Sequence, residues 1–299
     1  MKIPPSSDEK LWAVVSHLST LISGTGMLLS SFTWLEHRKK SRYVAFHALQ
    51  AFVYQSLGYT LWGLVAAFVL LAITIATLPQ LSTIVQDPAE LQLWVVTHVL
   101  VGFVLYIFFL LVPIAGAVMC ALGHDFRYPL IGDRLARYIG YDPATADGDS
   151  VPGEANEERV AVSMAHFAII YPVWGMLPSV VFLAVGKERS RFLTFQSVQT
   201  IIFQAISTLV TILLAFLAFL ILLGAVVSFV GNESMIYGPP MESIVAAFLF
   251  LICLMVILLV VPFYQIDGQW AGLRILQGHE YRYPLVGRWV EKWLAKREK

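Results

Sequence analysis

"GHDFRYPLIG" at residues 123–132 and "GHEYRYPLVG" at residues 278–287 are one ten-residue phrase written twice, each time just after a long apolar stretch. A repeat of this kind decides the architecture before any single element does. Working outward from the phrase, an offset of 149 places Glu9 on Glu158, His17 on His166, Gly26 on Gly175 and Ser30 on Ser179. It also places Ser41 on Ser190, Phe46 on Phe195, Gln50 on Gln199 and Gln55 on Gln204, all without a gap. The phrase itself needs an offset of 155, so the second copy has gained six residues, which the sequence locates near residues 265–275. The reading divides the chain into a membrane repeat at residues 1–140, a polar linker at 141–157 and a second repeat at 158–299. The linker is rich in Pro, Gly, Ala and acidic residues and has no apolar periodicity.

Composition sets the class. Of 299 residues, 58% are hydrophobic and 13% charged, against about a quarter charged in soluble domains. The sequence is free of charge between Arg42 and Asp87, Glu90 and Asp125, Arg191 and Glu233, and Glu242 and Asp267. Each run exceeds the ~20 apolar residues of a spanning helix, so four spans are expected. A net charge of zero gives no drive toward nucleic acid. Cys120 and Cys253 lie in apolar helical sequence without metal-like spacing and read as small core residues. The start of the chain has no small-x-small cleavage pattern and does not read as a signal peptide.

Each copy opens with an apolar segment broken in its middle, by Gly24 and Gly26 in the first and by Pro172, Gly175 and Pro178 in the second. If these segments crossed the bilayer, the copies would be inverted and the 20 Lys and Arg would divide twelve to eight. If each enters and returns on one face, all 20 lie on one side, because the loops at residues 80–90 and 231–243 contain none. The second arrangement follows the positive-inside rule. It makes the chain an all-α polytopic membrane protein of two parallel repeats with both termini cytoplasmic. Each repeat is then a re-entrant or hairpin helix pair, two long spans and a short interfacial helix.

Residues 43–78 hold no Pro, and 36 residues make roughly 54 Å of helix, longer than a ~30 Å core. His47, Gln50 and Tyr54 share a face at its start, with Gln196 and Gln199 at equivalent places. The stripe suits a partner helix, a wet cavity or the headgroups. Within the phrase, Gly123 and Gly278 suit a left-handed helix end, and Pro129 and Pro284 the first turn of the next helix. Beyond it, Leu285, Trp289, Trp293 and Leu294 oppose Arg288, Glu291, Lys292 and Lys296, and Leu130, Leu135 and Tyr138 pattern more weakly; both read as interfacial amphipathic helices. Arg127 and Arg282, with Tyr128 and Tyr283, are expected at the headgroup level, against lipid phosphate.

"EKLWAVVSHLSTLI", a Gly break, a basic loop, "FHALQAFVYQ" and a closing "YRYP" resemble a family of small bacterial membrane proteins of unknown function. That family is related to the twenty-kilodalton membrane subunit of the chloroplast inner-envelope import translocon. Its markers are Trp12, His17, Gln50, Tyr128 and Pro129, matched by His166, Gln199, Tyr283 and Pro284; Ala161 replaces Trp12 and Gln196 replaces His47. The resemblance implies a compact four-helix membrane unit in each copy and a bacterial inner (cytoplasmic) membrane location.

No enzyme is expected. The spans carry no Asp, Glu, Lys or Arg for an embedded proton relay, and no catalytic triad, metal-ligand helix or phosphate loop is visible. No cofactor or metal is expected either, although His17, His166 and His98 lie in apolar segments, where hydrogen bonding across helices competes with haem or pigment ligation. The leading reading is a non-enzymatic scaffold or translocation-type component whose partners are lipid and other membrane proteins. The alternatives are a small-molecule or lipid transporter built on the broken-helix ends, and a haem- or pigment-binding subunit using His17 and His166.

Overall fold

The computed structural model describes residues 4–22, 25–142, 154–185, 190–231 and 241–297. Gly24, most of the linker and most of the outer loop of the second copy lie outside them.

The chain begins with a capping box. The Ser6 amide donates to Glu9 Oε2 at 2.8 Å and the Glu9 amide to Ser6 Oγ at 3.3 Å, which fixes the start of α1, Ser7–Leu18. A 3₁₀ turn, Ser19–Leu21, leads to α2, Gly26–His37. Each helix has twelve residues, about 18 Å, and falls short of the ~30 Å apolar core. Their outer ends meet, because Ser41 Oγ donates to Glu9 Oε1 at 2.6 Å. The broken segment therefore returns to the end where it entered. Ser41 also caps α3, Arg42–Thr77, by accepting from the Val44 amide. A short α4, Leu81–Gln86, turns the chain, Asp87 caps α5, Pro88–Ala121, and α6, Gly132–Ile139, closes the copy.

The second copy repeats the plan. α7, Glu154–Phe167, is followed by 3₁₀ turns at Ala168–Ile170 and Trp174–Met176 and by α8, Leu177–Val185. Pro172 and Gly175 lie in the break, whereas Pro178 falls in the first turn of α8, where a missing amide costs nothing. Ser190 Oγ donates to Glu158 Oε2 at 2.7 Å, the counterpart of the Ser41–Glu9 contact. α9, Arg191–Gly231, and α10, Met241–Leu276, form the long hairpin, and α11, Val286–Arg297, ends the fold.

Among the described residues, three helical stretches, Arg42–Gln80, Ala89–Ala121 and Arg191–Gly224, are long and apolar enough to cross a membrane. The fourth expected span falls in α10, which has the length, but many side chains of its first half lie outside the described residues. Phe68, Val99, Phe103, Phe216 and Phe219 stand exposed on the outer halves of these helices, as lipid-facing side chains do. The copies are parallel. Arg38 Nε lies 3.2 Å from Glu157 Oε2, Arg42 Nη2 donates to the Gly140 carbonyl at 2.9 Å, and Gln277 Nε2 donates to Tyr138 Oη at 3.1 Å. The first and third of these join the same end of both copies, while the second ties α3 to the end of α6 within the first copy.

One apolar core runs across the seam, with Phe46, Leu49, Phe52, Met164 and Phe167 buried together. α9 has 41 residues against 36 in α3, and α10 has 36 against 34 in α5, so the six-residue gain lengthens the long hairpin and is not confined to residues 265–275; α10 carries the polar part of the seam. Gln269, buried, donates through Nε2 to Thr60 Oγ1 at 2.7 Å and to the Ser56 carbonyl at 2.9 Å, and Thr60 Oγ1 donates to Gln265 Oε1 at 3.1 Å. α10 thus joins the copies through Gln265 and Gln269, which meet α3.

Candidate functional site

Below α5 the chain reverses through Gly123, φ 80°, and runs without regular structure from His124 to Tyr128. A segment like this, half-buried against the helices and ending on the buried Tyr128, must find partners for its backbone. Gln50 supplies them: its Nε2 donates to the Phe126 carbonyl at 3.0 Å, and its Oε1 accepts from the Tyr128 amide at 2.8 Å. In the second copy the chain reverses through Gly278, φ 90°, and Gln199 makes the same pair with Tyr281 and Tyr283, at 2.8 and 3.3 Å. The last glycine of the phrase makes room for this approach. A Cβ on Gly132 would lie 2.5 Å from Gln50 Oε1, and one on Gly287 would lie 3.2 Å from Gln199 Oε1. The phrase recurs because each copy holds it by the same clamp.

Two expectations change here, and one reading left open is narrowed. The stripe of His47, Gln50, Gln196 and Gln199 does not face headgroups; all four are fully buried and turn inward onto the phrase. Tyr128 and Tyr283, each 1% exposed, also point inward. Their hydroxyls meet His17 Nδ1 at 2.7 Å and His166 Nδ1 at 2.8 Å. Pro129 and Pro284 precede the next helices and lie in the turn before them, since α6 starts at Gly132 and α11 at Val286; Leu130, with φ 68°, occupies that turn in the first copy.

The arginines stay near the surface but are engaged by acids. Arg127 contacts Asp133 at 2.7 Å and Asp125 at 3.3 Å, and Arg282 contacts Glu291 at 3.2 Å and Glu280 at 3.7 Å. In α11 the face against the protein is Val286 and Val290, while Trp289 and Trp293 project outward, and in α6 Leu135 and Ala136 are buried.

Under the clamp the copies differ. In the second, His166 Nε2 lies 3.1 Å from Gln196 Oε1. In the first, His17 Nε2 lies 3.1 Å from His47 Nδ1, and Cys120 Sγ is 3.6 Å from the same His47 nitrogen. Donor atoms of His17, His47 and Cys120 all fall within 4.8 Å of one another. The far side of His47 faces a carboxylate, with Nε2 3.4 Å from Asp125 Oδ1. Burial works to raise the Asp125 carboxyl, but hydrogen bonds with His47, Tyr141 and Arg127 outweigh it and hold the group below the ordinary carboxylate range.

His17 and His166 are not brought together as an axial pair, because both ring nitrogens of each meet side chains of its own copy. His98 is engaged inside the first hairpin, by the Trp94 carbonyl at 2.8 Å and Thr74 Oγ1 at 3.2 Å. Sequence reasoning missed Cys120 as a member of the cluster. The signal was available in the repeat: where the first copy has His47, Cys120 and Asp125, the second has Gln196, Ile275 and Glu280.

Two segments, residues 8–135 and 157–290, match the model of the magnetosome magnetite crystal formation protein family. The chain belongs to that family. Each matched segment carries one complete clamp, His17 with Gln50 and Tyr128 or His166 with Gln199 and Tyr283, so the family unit is present twice. No curated protein and no solved structure matches this tandem member of the magnetosome family.

Proposed function

We propose that the protein is a non-enzymatic integral-membrane scaffold that acts in magnetite crystal formation by organising other membrane proteins and lipid around a pseudo-twofold helical body. The family match over both copies carries this reading. The packing supports a scaffold: the two copies share a closed core, and each helix break is filled by its own copy, with Gly26 against Ser19 and Gln55, and Gly175 against Ala168 and Gln204. Closed breaks offer no common site for a transported solute. A packed seam also favours scaffolding over passage of a polypeptide, the role that the likeness to the import subunit implies.

The test is genetic. Removing the gene from a magnetite-forming host is expected to change crystal size or shape in electron micrographs, with rescue by the intact chain and not by either half alone. Crystals indistinguishable from those of the parent would overturn the proposal.

The charge distribution supports a cytoplasmic linker and cytoplasmic termini, and the family match favours a bacterial inner membrane. Single cysteines at Ala155, Ser41 and Ser190 are expected to resist an external impermeant thiol reagent, while cysteines at Ser82 and Ser234 label. Labelling at Ala155 in intact cells would reverse the orientation.

A further inference from the structure

We propose that the first copy binds one divalent transition-metal ion of borderline softness between His17 Nε2, His47 Nδ1 and Cys120 Sγ, a site that the second copy has lost.

The donor spacing fits a metal ion. With metal–nitrogen bonds of about 2.0–2.1 Å and metal–sulfur bonds of about 2.3 Å, the edges of a tetrahedral site are roughly 3.3–3.6 Å. The nitrogens of His17 and His47 are 3.1 Å apart, and Cys120 Sγ lies 3.6 Å from His47 Nδ1. Two imidazoles and a thiolate select borderline cations over the oxygen-seeking ones.

The surroundings orient the donors. A ligating imidazole needs its second nitrogen held by a partner that fixes the tautomer. His17 Nδ1 has Tyr128 Oη at 2.7 Å, and His47 Nε2 has Asp125 Oδ1 at 3.4 Å. Asp125 is held in turn by the Tyr141 hydroxyl at 3.0 Å and Arg127 Nε at 3.3 Å. Gly116 leaves room for the His17 ring, since a Cβ there would lie 3.1 Å from its Nδ1. Charge also closes: a divalent ion, the Cys120 thiolate and the Asp125 carboxylate sum to zero, which a membrane-embedded site requires.

Without a metal the same atoms form a proton chain, from the Tyr128 hydroxyl to His17 Nδ1, from His17 Nε2 to His47 Nδ1, and from His47 Nε2 to Asp125. On binding, the His17 proton moves to Nδ1, freeing the Nε2 lone pair, and the Cys120 thiol releases its proton to solvent. The second copy isolates the metal-free alternative. There Gln196 Oε1 accepts from His166 Nε2, Ile275 replaces the thiol, and Glu280 pairs outward with Arg282. A hydrogen-bonded frame alone needs only a glutamine, so His47, Cys120 and Asp125 together exceed what the clamp requires.

The experiment uses the full chain in detergent, without a polyhistidine tag, stripped by chelator and titrated with Co²⁺. Uptake of about one ion per chain is expected, with a sulfur-to-cobalt charge-transfer band and displacement by Zn²⁺. Cys120→Ser should remove that band and Cys253→Ser should keep it. Asp125→Asn is expected to weaken binding by about 10–100-fold, and His47→Gln by more than that. His47→Gln installs the second copy's own residue, and thermal unfolding of the metal-free variants checks that they fold; if it does not fold, Cys120→Ser decides alone. Absence of stoichiometric uptake, a charge-transfer band that survives Cys120→Ser, or unchanged affinity in folded His47→Gln would overturn the proposal. None of these readouts depends on the role in crystal formation.

Discussion

Gly26→Ala is expected to prevent recovery of folded protein in detergent, and Gly175→Ala to destabilise it severely. A Cβ on Gly26 would lie 1.9 Å from the Ser19 carbonyl oxygen and 2.7 Å from its carbon, with Gln55 Oε1 at 2.8 Å. At Gly175 the equivalent distances are 2.2 Å and 3.0 Å to Ala168, with Gln204 Oε1 at 3.1 Å. The obstructing atoms are mainly backbone and cannot rotate away, so the two half-helices must part. Parting them also breaks the polar filling of the turn. In the first copy Gln55 Nε2 donates to Ser19 Oγ at 2.9 Å and Ser30 Oγ at 3.2 Å; in the second, where alanines replace Ser16 and Ser19, Gln204 Nε2 donates directly to the Ala165 carbonyl at 3.0 Å. Overpacking and lost buried hydrogen bonds together cost on the order of 3–5 kcal/mol, a large share of the ~5–15 kcal/mol that holds a domain folded. Gly63 and Gly102 are controls, because a Cβ on either meets nothing within 4 Å; alanine there should be neutral or gain up to about 1 kcal/mol. Thermal unfolding and size-exclusion profiles compare all four variants, and Gly26→Ala melting with the wild type would refute the close approach.

The hairpins were legible because two independent signals agreed: breakers at equivalent positions of a gapless repeat, and a charge distribution that only an even number of crossings keeps on one side. What covers the breaks was not legible, since Gln55 and Gln204 lie 36 and 39 positions from their partners. The inward turn of His47, Gln50, Gln196 and Gln199 was not among the readings left open, for a physical reason. Helix length shows that part of α3 extends beyond the apolar core, but not that the phrase folds back over it and excludes water. The cluster of His17, His47 and Cys120 escaped similarly. Its members are 30 and 73 positions apart and share no local spacing, so only the packing of α1, α3 and α5 assembles them. The gain in length was visible as an offset, but not where the helices absorb it, and the placement of Gln265 and Gln269 against Ser56 and Thr60 depends on how the copies pack.

Gln50→Leu should destabilise the protein far more than Gln199→Leu, although the two residues occupy the same place in the repeat. Leucine fills nearly the volume of glutamine, so the substitution removes the polar contacts and little packing. In the first copy this strands the Phe126 carbonyl and the Tyr128 amide, both held by Gln50. Each buried unsatisfied group costs about 1–3 kcal/mol, giving a loss of roughly 2–6 kcal/mol and freeing Tyr128 from its register under His17. The second copy has a reserve, because Gln196 Nε2 also donates to the Tyr281 carbonyl at 3.0 Å and the Tyr283 amide is held at a longer 3.3 Å. Loss of Gln199 therefore leaves that carbonyl satisfied and costs about 1–3 kcal/mol. The double variant Gln196→Leu/Gln199→Leu removes the reserve and should fall to the level of Gln50→Leu, a loss larger than the sum of its single substitutions, as expected for residues sharing a partner. Thermal unfolding of the four variants tests this ordering, and limited proteolysis after Arg127 and Arg282 locates the loosened copy. Equal effects of Gln50→Leu and Gln199→Leu would mean that the glutamine clamp does not hold the phrase, and that the tyrosine–histidine contact beneath it does.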